Sequence, residues 1–292
     1  MLITRRQLLV GTAAAGGVVL STGAYAGIVE PGFRLVVTEY RLTPPRWPND
    51  FPLNIAVIAD PHASEPYMSP ARIERIVETT NALKPDLVVL LGDFEAAHRF
   101  VTKMVPSETW APLWAQCKAP LGVHSILGNH DWWFHLKRIR ASIEKAGIPI
   151  MENDGVKLTH RGRPFWLLGL GDQIAYIVGR GRYRGVDDLP KTLAKITGDA
   201  PAILLAHEPD IFVKVPERIS LTLAGHTHGG QVRLLGYSPV VPSRYGNRFA
   251  YGHIVENGRH MIVSGGLGCS IAPVRLGVPP EIVMVRLGNQ LA

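Results

Sequence analysis

The chain has 292 residues, 46% hydrophobic and 19% charged; this excludes a disordered chain and allows one large α/β domain or two small ones. The formal charge of +7 is not gathered into a long basic run or an aromatic-interleaved stripe, so nucleic acid is not an expected partner. Cys117 and Cys269 are the only cysteines, too few for a disulfide framework or a thiolate metal site, and they read as buried free thiols.

The N-terminus reads as an address. Thr4-Arg5-Arg6-Gln7-Leu8-Leu9 gives a charged start, an Ala/Gly-rich apolar run continues to Leu20, and Ala24-Tyr25-Ala26 places small residues where a signal peptidase reads them. The arginine pair followed by Leu-Leu resembles a twin-arginine export signal, which makes that machinery an expected partner. Residues 1–26 are therefore expected to be a signal and residues 27–292 a single domain in the periplasm or cell envelope. An uncleaved anchor is the alternative, disfavoured because Gly, Thr and Ser dilute the run. Without Arg5 and Arg6 the chain keeps 29 basic against 24 acidic residues, +5, which suits an anionic substrate or membrane surface.

An edge strand is predicted over Phe33–Arg41 and a buried strand over Asn54–Ala59, an apolar run ending at Asp60. Ser69-Pro70 opens a helix whose apolar stripe is Ile73, Ile76, Val77 and Leu83, stopped at Pro85. Leu87–Leu91 is a second buried strand. A helix over Trp110–Lys118 and a strand over Gly122–Leu127 follow, then a helix with Ile139, Ile143 and Ala146 on one face, closed at Gly147. Six strands are expected beyond it, over Phe165–Leu170, Ala202–Ala206, Ser220–Ala224, Val232–Leu235, His260–Ser264 and Ile282–Leu287. Alternating strands and helices in the first half imply a parallel sheet, and the strand-rich second half a second sheet packed on it.

Five polar clusters each follow an apolar strand: Asp60-Pro61-His62, Gly92-Asp93, Gly128-Asn129-His130-Asp131, Ala206-His207-Glu208 and Gly225-His226-Thr227-His228-Gly229-Gly230-Gln231. Ligands of open α/β sheets gather at the carboxyl ends of strands, so the five can converge. Asp, His and Asn suit borderline divalent metals such as Mn, Fe and Zn. The i, i+2 spacing of Asp-x-His and His-x-His, in extended backbone, sends both side chains to one side. Glu95, close behind Gly92-Asp93-Phe94, reads as a solvated acid, with support of the ligand residues as the alternative. His98, His124, His135, His160, His253 and His260 receive no role.

In this order the motifs resemble the calcineurin-like metallophosphoesterase family. Ser264-Gly265-Gly266-Leu267-Gly268, Pro273-Val274-Arg275 and Pro280-Glu281-Ile282 resemble its branch of exported or membrane-associated phosphodiesterases of the YkuE and YaeI type. The resemblance implies a four-layer α/β/β/α sandwich and two divalent metal ions. Asp60, His62 and His228 would hold the first ion, Asn129, His207 and His226 the second, and Asp93 would bridge them. His130, as a cation, would face the phosphate, with Asp131 orienting its ring. The implied reaction is hydrolysis of a phosphodiester or pyrophosphate by a hydroxide bridging the ions.

For the phosphate-ester substrate, Arg180, Arg182 and Arg184 in a long loop would grip an anionic group if extended; a solvated surface loop is the equal alternative. Trp132-Trp133-Phe134 reads as core packing rather than a wall for a lipid or base. The branch resemblance implies a lipid-linked substrate such as a UDP-2,3-diacylglucosamine-like pyrophosphate. A broad phosphomonoesterase and a non-catalytic, metal-dependent binder of anionic lipid or envelope polymer are the alternatives.

Overall fold

The computed structural model describes residues 5–95 and 100–289, without the side chains of residues 6–15. Thr4, the side chains of the export-signal residues Arg6 to Leu9, and His98 therefore lie outside the described residues. Two mixed sheets form the frame. The first runs, from one edge to the other, Val36–Leu42, Glu281–Leu287, Leu53–Ile58, Leu87–Leu90 and Val123–Ser125; the second runs Gly252–Glu256, Arg259–Val263, Leu221–Ala224, Ala202–Leu205, Arg163–Gly169 and Asp154–His160.

Side-chain alternation along the strands sorts the core into layers. In the Leu53–Ile58 strand, Ile55 and Val57 face the second sheet, where they meet Phe165, Leu167, Leu205 and Leu223. Ala56 and Ile58 face the other way, onto Ile73, Ile76, Trp110, Trp114, Ile139 and Ile143 of the covering helices Pro70–Ala82, Ser107–Trp114 and Leu136–Lys145. The outer face of the second sheet is covered by Leu189, Ile211, Phe212 and Phe249, from the Leu189–Leu193 helix and two 3₁₀ turns. The four layers are as expected, with a thin fourth.

Four expectations need correcting. Glu281–Leu287 lies in the first sheet, between Val36–Leu42 and Leu53–Ile58, because its two apolar faces need cover on both sides. Val232–Leu235 is not a strand: Val232 makes one isolated bridge and Leu234 pairs with Tyr237 across a tight turn. The segment around Arg180 is a hairpin, Tyr176–Gly179 with Arg182–Arg184, rather than a loop. The helix expected to start at Trp110 begins at Ser107, after Pro106. Cys117 and Cys269 are buried free thiols, as expected.

The N-terminal helix spans Arg5–Ala24 and turns through Tyr25–Val29 onto the body. There Ala26 is buried, its carbonyl accepts from the Arg275 amide at 2.9 Å, and the Gly27 carbonyl accepts from the Tyr67 hydroxyl. Among the described residues no helix is long and apolar enough to cross a membrane.

Phe165 is fully buried between the sheets. Phe165→Ala is expected to cost about 3–5 kcal/mol through lost burial and the cavity it leaves. Urea denaturation checks this, and a loss under about 1 kcal/mol would mean the two sheets can collapse onto the gap.

Candidate metal centre

All five polar clusters meet. Asp60 and His62 leave the Leu53–Ile58 strand, Asp93 the Leu87–Leu90 strand and Asn129 the Val123–Ser125 strand; His207 follows Ala202–Leu205, and His226 and His228 follow Leu221–Ala224. Asp60, His62 and His228 place one ligand atom each within 4.8 Å of one another, and Asp93, His207 and His226 do the same. Asp93 lies between the two groups, with Oδ2 3.5 Å from His62 Nε2 and 3.3 Å from His207 Nε2. Asn129 Oδ1 lies 3.2 Å from His207 Nε2 and 2.9 Å from His226 Nδ1. His62 and His228 face each other through Nε2 atoms 3.1 Å apart.

The turns that achieve this are left-handed rather than extended. Asp60, His62, Asp93, His226 and His228 have φ of +50°, +46°, +56°, +68° and +51°, a region that costs a side-chain-bearing residue roughly 1–3 kcal/mol and is concentrated at functional sites. Two glycines make the close approach possible: a Cβ on Gly128 would fall 2.4 Å from Asp93 Oδ1, and one on Gly225 would fall 2.6 Å from Asp60 Oδ2.

Hydrogen bonds fix the ligand rings. His62 Nδ1 meets the Glu95 carbonyl at 3.1 Å and His207 Nδ1 the Leu91 carbonyl at 2.6 Å, which leaves each Nε2 aimed inward. The Arg275 guanidinium, fully buried, reaches His228 Nδ1 at 3.1 Å and holds the Gly268 and Val278 carbonyls. Both Asp60 oxygens accept from the His226 amide.

Asp131 does not orient His130. Its oxygens accept from the backbone amides of Gly128, Asp93 and Phe94, each at 2.9 Å. Adjacent residues on a helix point about 100° apart, so Asp131 faces the strand ends while His130 faces the cavity. His130 lies with Nε2 3.3 Å from Ser270 Oγ, its Nδ1 is unpartnered, and its amide donates to Asp93 Oδ1 at 2.8 Å. Burial holds its pKa below the ordinary histidine value. Glu95 is not a solvated acid either: it is fully buried and paired with Arg138 at 2.7 Å.

A cavity of about 1450 Å³ opens over the centre, lined by Asp93, Asn129, His130, His226 and His228. Of the three arginines expected to grip substrate, Arg182 lines it; Arg180 lies at the hairpin turn, and Arg184 stacks over Tyr176 at 4.9 Å. Trp133 is a cavity wall rather than core, stacked on Tyr183 with its indole N–H on the Ile174 carbonyl.

Sequence reading gave no role to Arg275, Ser270, Asp172 or Glu208. Arg275 stood in a quoted motif, but nothing in its spacing pointed to His228. Asp172 and Glu208 are buried beside His207. Burial and the nearby Glu208 push the Asp172 carboxyl well above the carboxylate range.

The donor set fits a pair of divalent cations. Asp60 and Asp93 are buried carboxylates whose ion-pair partners among the described residues are histidines. Two such charges, away from water and with no Lys or Arg in ion-pair contact among the described residues, call for further positive charge. Nitrogen and oxygen donors without thiolate suit borderline metals.

Burial raises Asp60 from 3.8 to about 7 in the metal-free site. Between those values the folded chain binds more protons than the unfolded one, so metal-free stability is greatest below the lower value and falls as pH rises through the upper. A divalent cation must displace that proton. The rise in Tm caused by Mn²⁺ should therefore be larger at about pH 7.5 than at about pH 5.5, with apparent affinity gaining roughly tenfold per pH unit for each proton displaced. Scanning calorimetry checks it; an increment independent of pH would mean that cations do not bind at Asp60.

The calcineurin-like phosphoesterase pattern matches residues 53–230. The chain is 32% identical over 297 residues to phosphodiesterase YaeI of Escherichia coli, spanning 98% of this chain and 100% of the relative. It is 30% identical over 297 residues, 98% of each chain, to YkuE of Bacillus subtilis, named an uncharacterized metallophosphoesterase. Among solved structures, the calcineurin-like phosphoesterase YfkN of Bacillus subtilis aligns with 74% of this chain and 82% of its own, at 15% identity and a TM-score of 0.46. With the motif residues assembled into one buried centre, this chain belongs to the calcineurin-like phosphoesterase family and is a metal-dependent phosphoesterase.

Proposed function

We propose that this enzyme hydrolyses a phosphodiester or pyrophosphate bond in a lipid-linked substrate at the cell envelope. The observation that carries the reading is the cavity. At about 1450 Å³ it exceeds the ~300–1,000 Å³ of an ordinary small-molecule site. Its walls include Trp133, Ile174, Val178, Tyr183, Val213 and Val240, so a phosphate at the centre would carry a large apolar substituent.

Charge supports a diester over a monoester. Arg182, Lys214 and Arg244 line the cavity, and Asp187, Glu208 and Asp210 stand against them. Among the described residues there is no excess of protein cations in the lining to clamp the second negative charge of a monoester. The similarity to a relative named as a phosphodiesterase agrees.

When bound, two divalent cations (Mn, Fe or Zn by the donor set) would offset phosphoryl charge and acidify water in the site. The chain's own part is positional. Asp93 and the four imidazoles fix the reaction centre, His130 Nε2 donates a hydrogen bond to a phosphoryl or leaving oxygen, and the Trp133–Tyr183 wall seats the apolar substituent.

The envelope location rests on the export-signal resemblance of the N-terminus and on its docking. Ala26, at the expected cleavage site, is buried in a helical turn with its carbonyl bonded to Arg275. A protease needs that segment extended and exposed, so this burial supports the alternative in which the signal is retained.

Metal-loaded enzyme is expected to turn over bis-p-nitrophenyl phosphate about tenfold faster than p-nitrophenyl phosphate; the reverse order would establish a phosphomonoesterase. His130→Ala should keep both metals and lose roughly 10²-fold or more in kcat; loss of metal in elemental analysis would make His130 a ligand. A reporter fused to residues 1–35 should be exported only in cells with the twin-arginine pathway, and export without that pathway would refute the assigned route.

A further inference from the structure

The cavity mouth carries large apolar side chains in the open on two neighbouring loops. On the hairpin, Tyr176, Ile177, Val178 and Tyr183 are exposed; on the turn after Val232, Leu234, Leu235, Tyr237 and Val240 are exposed. Ile271 stands exposed on the adjoining segment. Val178, Tyr183, Val240 and Ile271 also line the cavity, so the apolar rim is the entrance itself.

The turn is a sharper signal than exposure alone. Leu234 and Tyr237 exchange backbone hydrogen bonds, both 2.9 Å, across Leu235-Gly236, whose φ values are +51° and +81°. Two left-handed central residues favour Asn-Gly or Asp-Gly. Here the first is leucine, fully exposed. It accepts backbone strain and contact with water and gains no packing within the chain.

The rim is tied to the N-terminal segment. Leu276 and Gln231 join the turn to the 270–276 segment, and the Arg275 amide bonds the Ala26 carbonyl. Beyond that bond Ile28 and Val29 are exposed, as are Val18, Val19 and Leu20 on the helix. Charge follows the same face. Residues 174–184, 231–245 and 270–276 contain no acid and carry Arg180, Arg182, Arg184, Arg233 and Arg244, while Asp187, Glu208 and Asp210 stand in the cavity lining.

We propose that this mouth docks on an anionic lipid bilayer. Leu234, Leu235, Tyr237 and the hairpin tip enter the headgroup–acyl boundary while the arginines meet lipid phosphates. Several aliphatic and tyrosine tips on segments that carry arginine match that boundary better than a protein groove. For its use in catalysis the inference rests on the lipid-linked reading, since the docked mouth would take its substrate from the bilayer.

The test uses the full chain, N-terminal helix included. Co-sedimentation compares the parent with L234D/L235D/Y237D on vesicles of phosphatidylglycerol and phosphatidylcholine and on phosphatidylcholine alone. The parent is expected to bind the anionic vesicles, and the triple variant to bind them about tenfold or more weakly. Arg180→Ala with Arg184→Ala should reduce the salt sensitivity of binding. The three substituted side chains lie outside the cavity lining, so hydrolysis of soluble bis-p-nitrophenyl phosphate should be unchanged and reports that the variant is folded. A parent that stays in the supernatant, or a triple variant that binds like the parent because the helix alone holds it, overturns the docking surface. Failure of the parent to hydrolyse the soluble diester sinks the diesterase reading and leaves the vesicle result standing on its own.

Discussion

Two buried carboxylates, Asp60 and Asp93, face each other's histidines and, among the described residues, form no ion pair with lysine or arginine. Burying one unpaired charge is costly, and two in one shell are tolerated only with protons or cations. The metal-free chain uses protons: Asp60 is pushed up to about 7 by burial, while Asp93 is pulled well below the carboxylate range and His207 lifted well above the histidine range by their mutual attraction. Each of these groups is a donor to metal once the proton leaves. The charge imbalance is therefore the driving force for loading, and the histidine pairs hold its place until then.

Such a site needs a scaffold able to bear strain. Five ligands sit at left-handed backbone positions, and about 1–3 kcal/mol at each must be supplied by packing elsewhere. The sandwich supplies it where the strands end. Asp131, by accepting from three amides, welds the end of the Leu87–Leu90 strand to the end of the Val123–Ser125 strand. Asp60, by accepting from the His226 amide, spans the two sheets in the same way. These acids position backbone, and the backbone positions the nitrogen and oxygen donors.

What the sequence made legible follows from range. Apolar runs, the Ser69 cap accepting from the Arg72 amide and the strand-end clusters are local patterns, so the two sheets and the covering helices could be placed from them, while the seven proposed ligands came from the family resemblance. The motif order supplied the pairing of distant clusters. What stayed hidden depended on partners far along the chain. Glu95 looked solvated because Arg138 lies 43 residues away. Asp131 looked like a partner for its neighbour because the amides it holds at Asp93 and Phe94 belong to another strand end. Ile282–Leu287 went to the wrong sheet because a strand apolar on both faces carries no mark of which sheet it joins. Leu235 read as strand because a leucine in a left-handed turn contradicts propensity, and that contradiction is local evidence of a demand from outside the chain.

Arg275 joins these levels. Its side chain is buried against His228 and the Gly268 and Val278 carbonyls, and its amide holds Ala26. The segment that carries it also carries Ser270, beside His130, and Ile271, at the cavity mouth. One short stretch of chain thus touches a metal ligand, the hydrogen-bond donor at the reaction centre, the entrance and the root of the N-terminal helix. A helix fixed at that point sets the orientation of the entrance relative to whatever surface the helix rests on. The position of the helix root relative to the reaction centre is then a property of packed, hydrogen-bonded structure and not of a flexible linker.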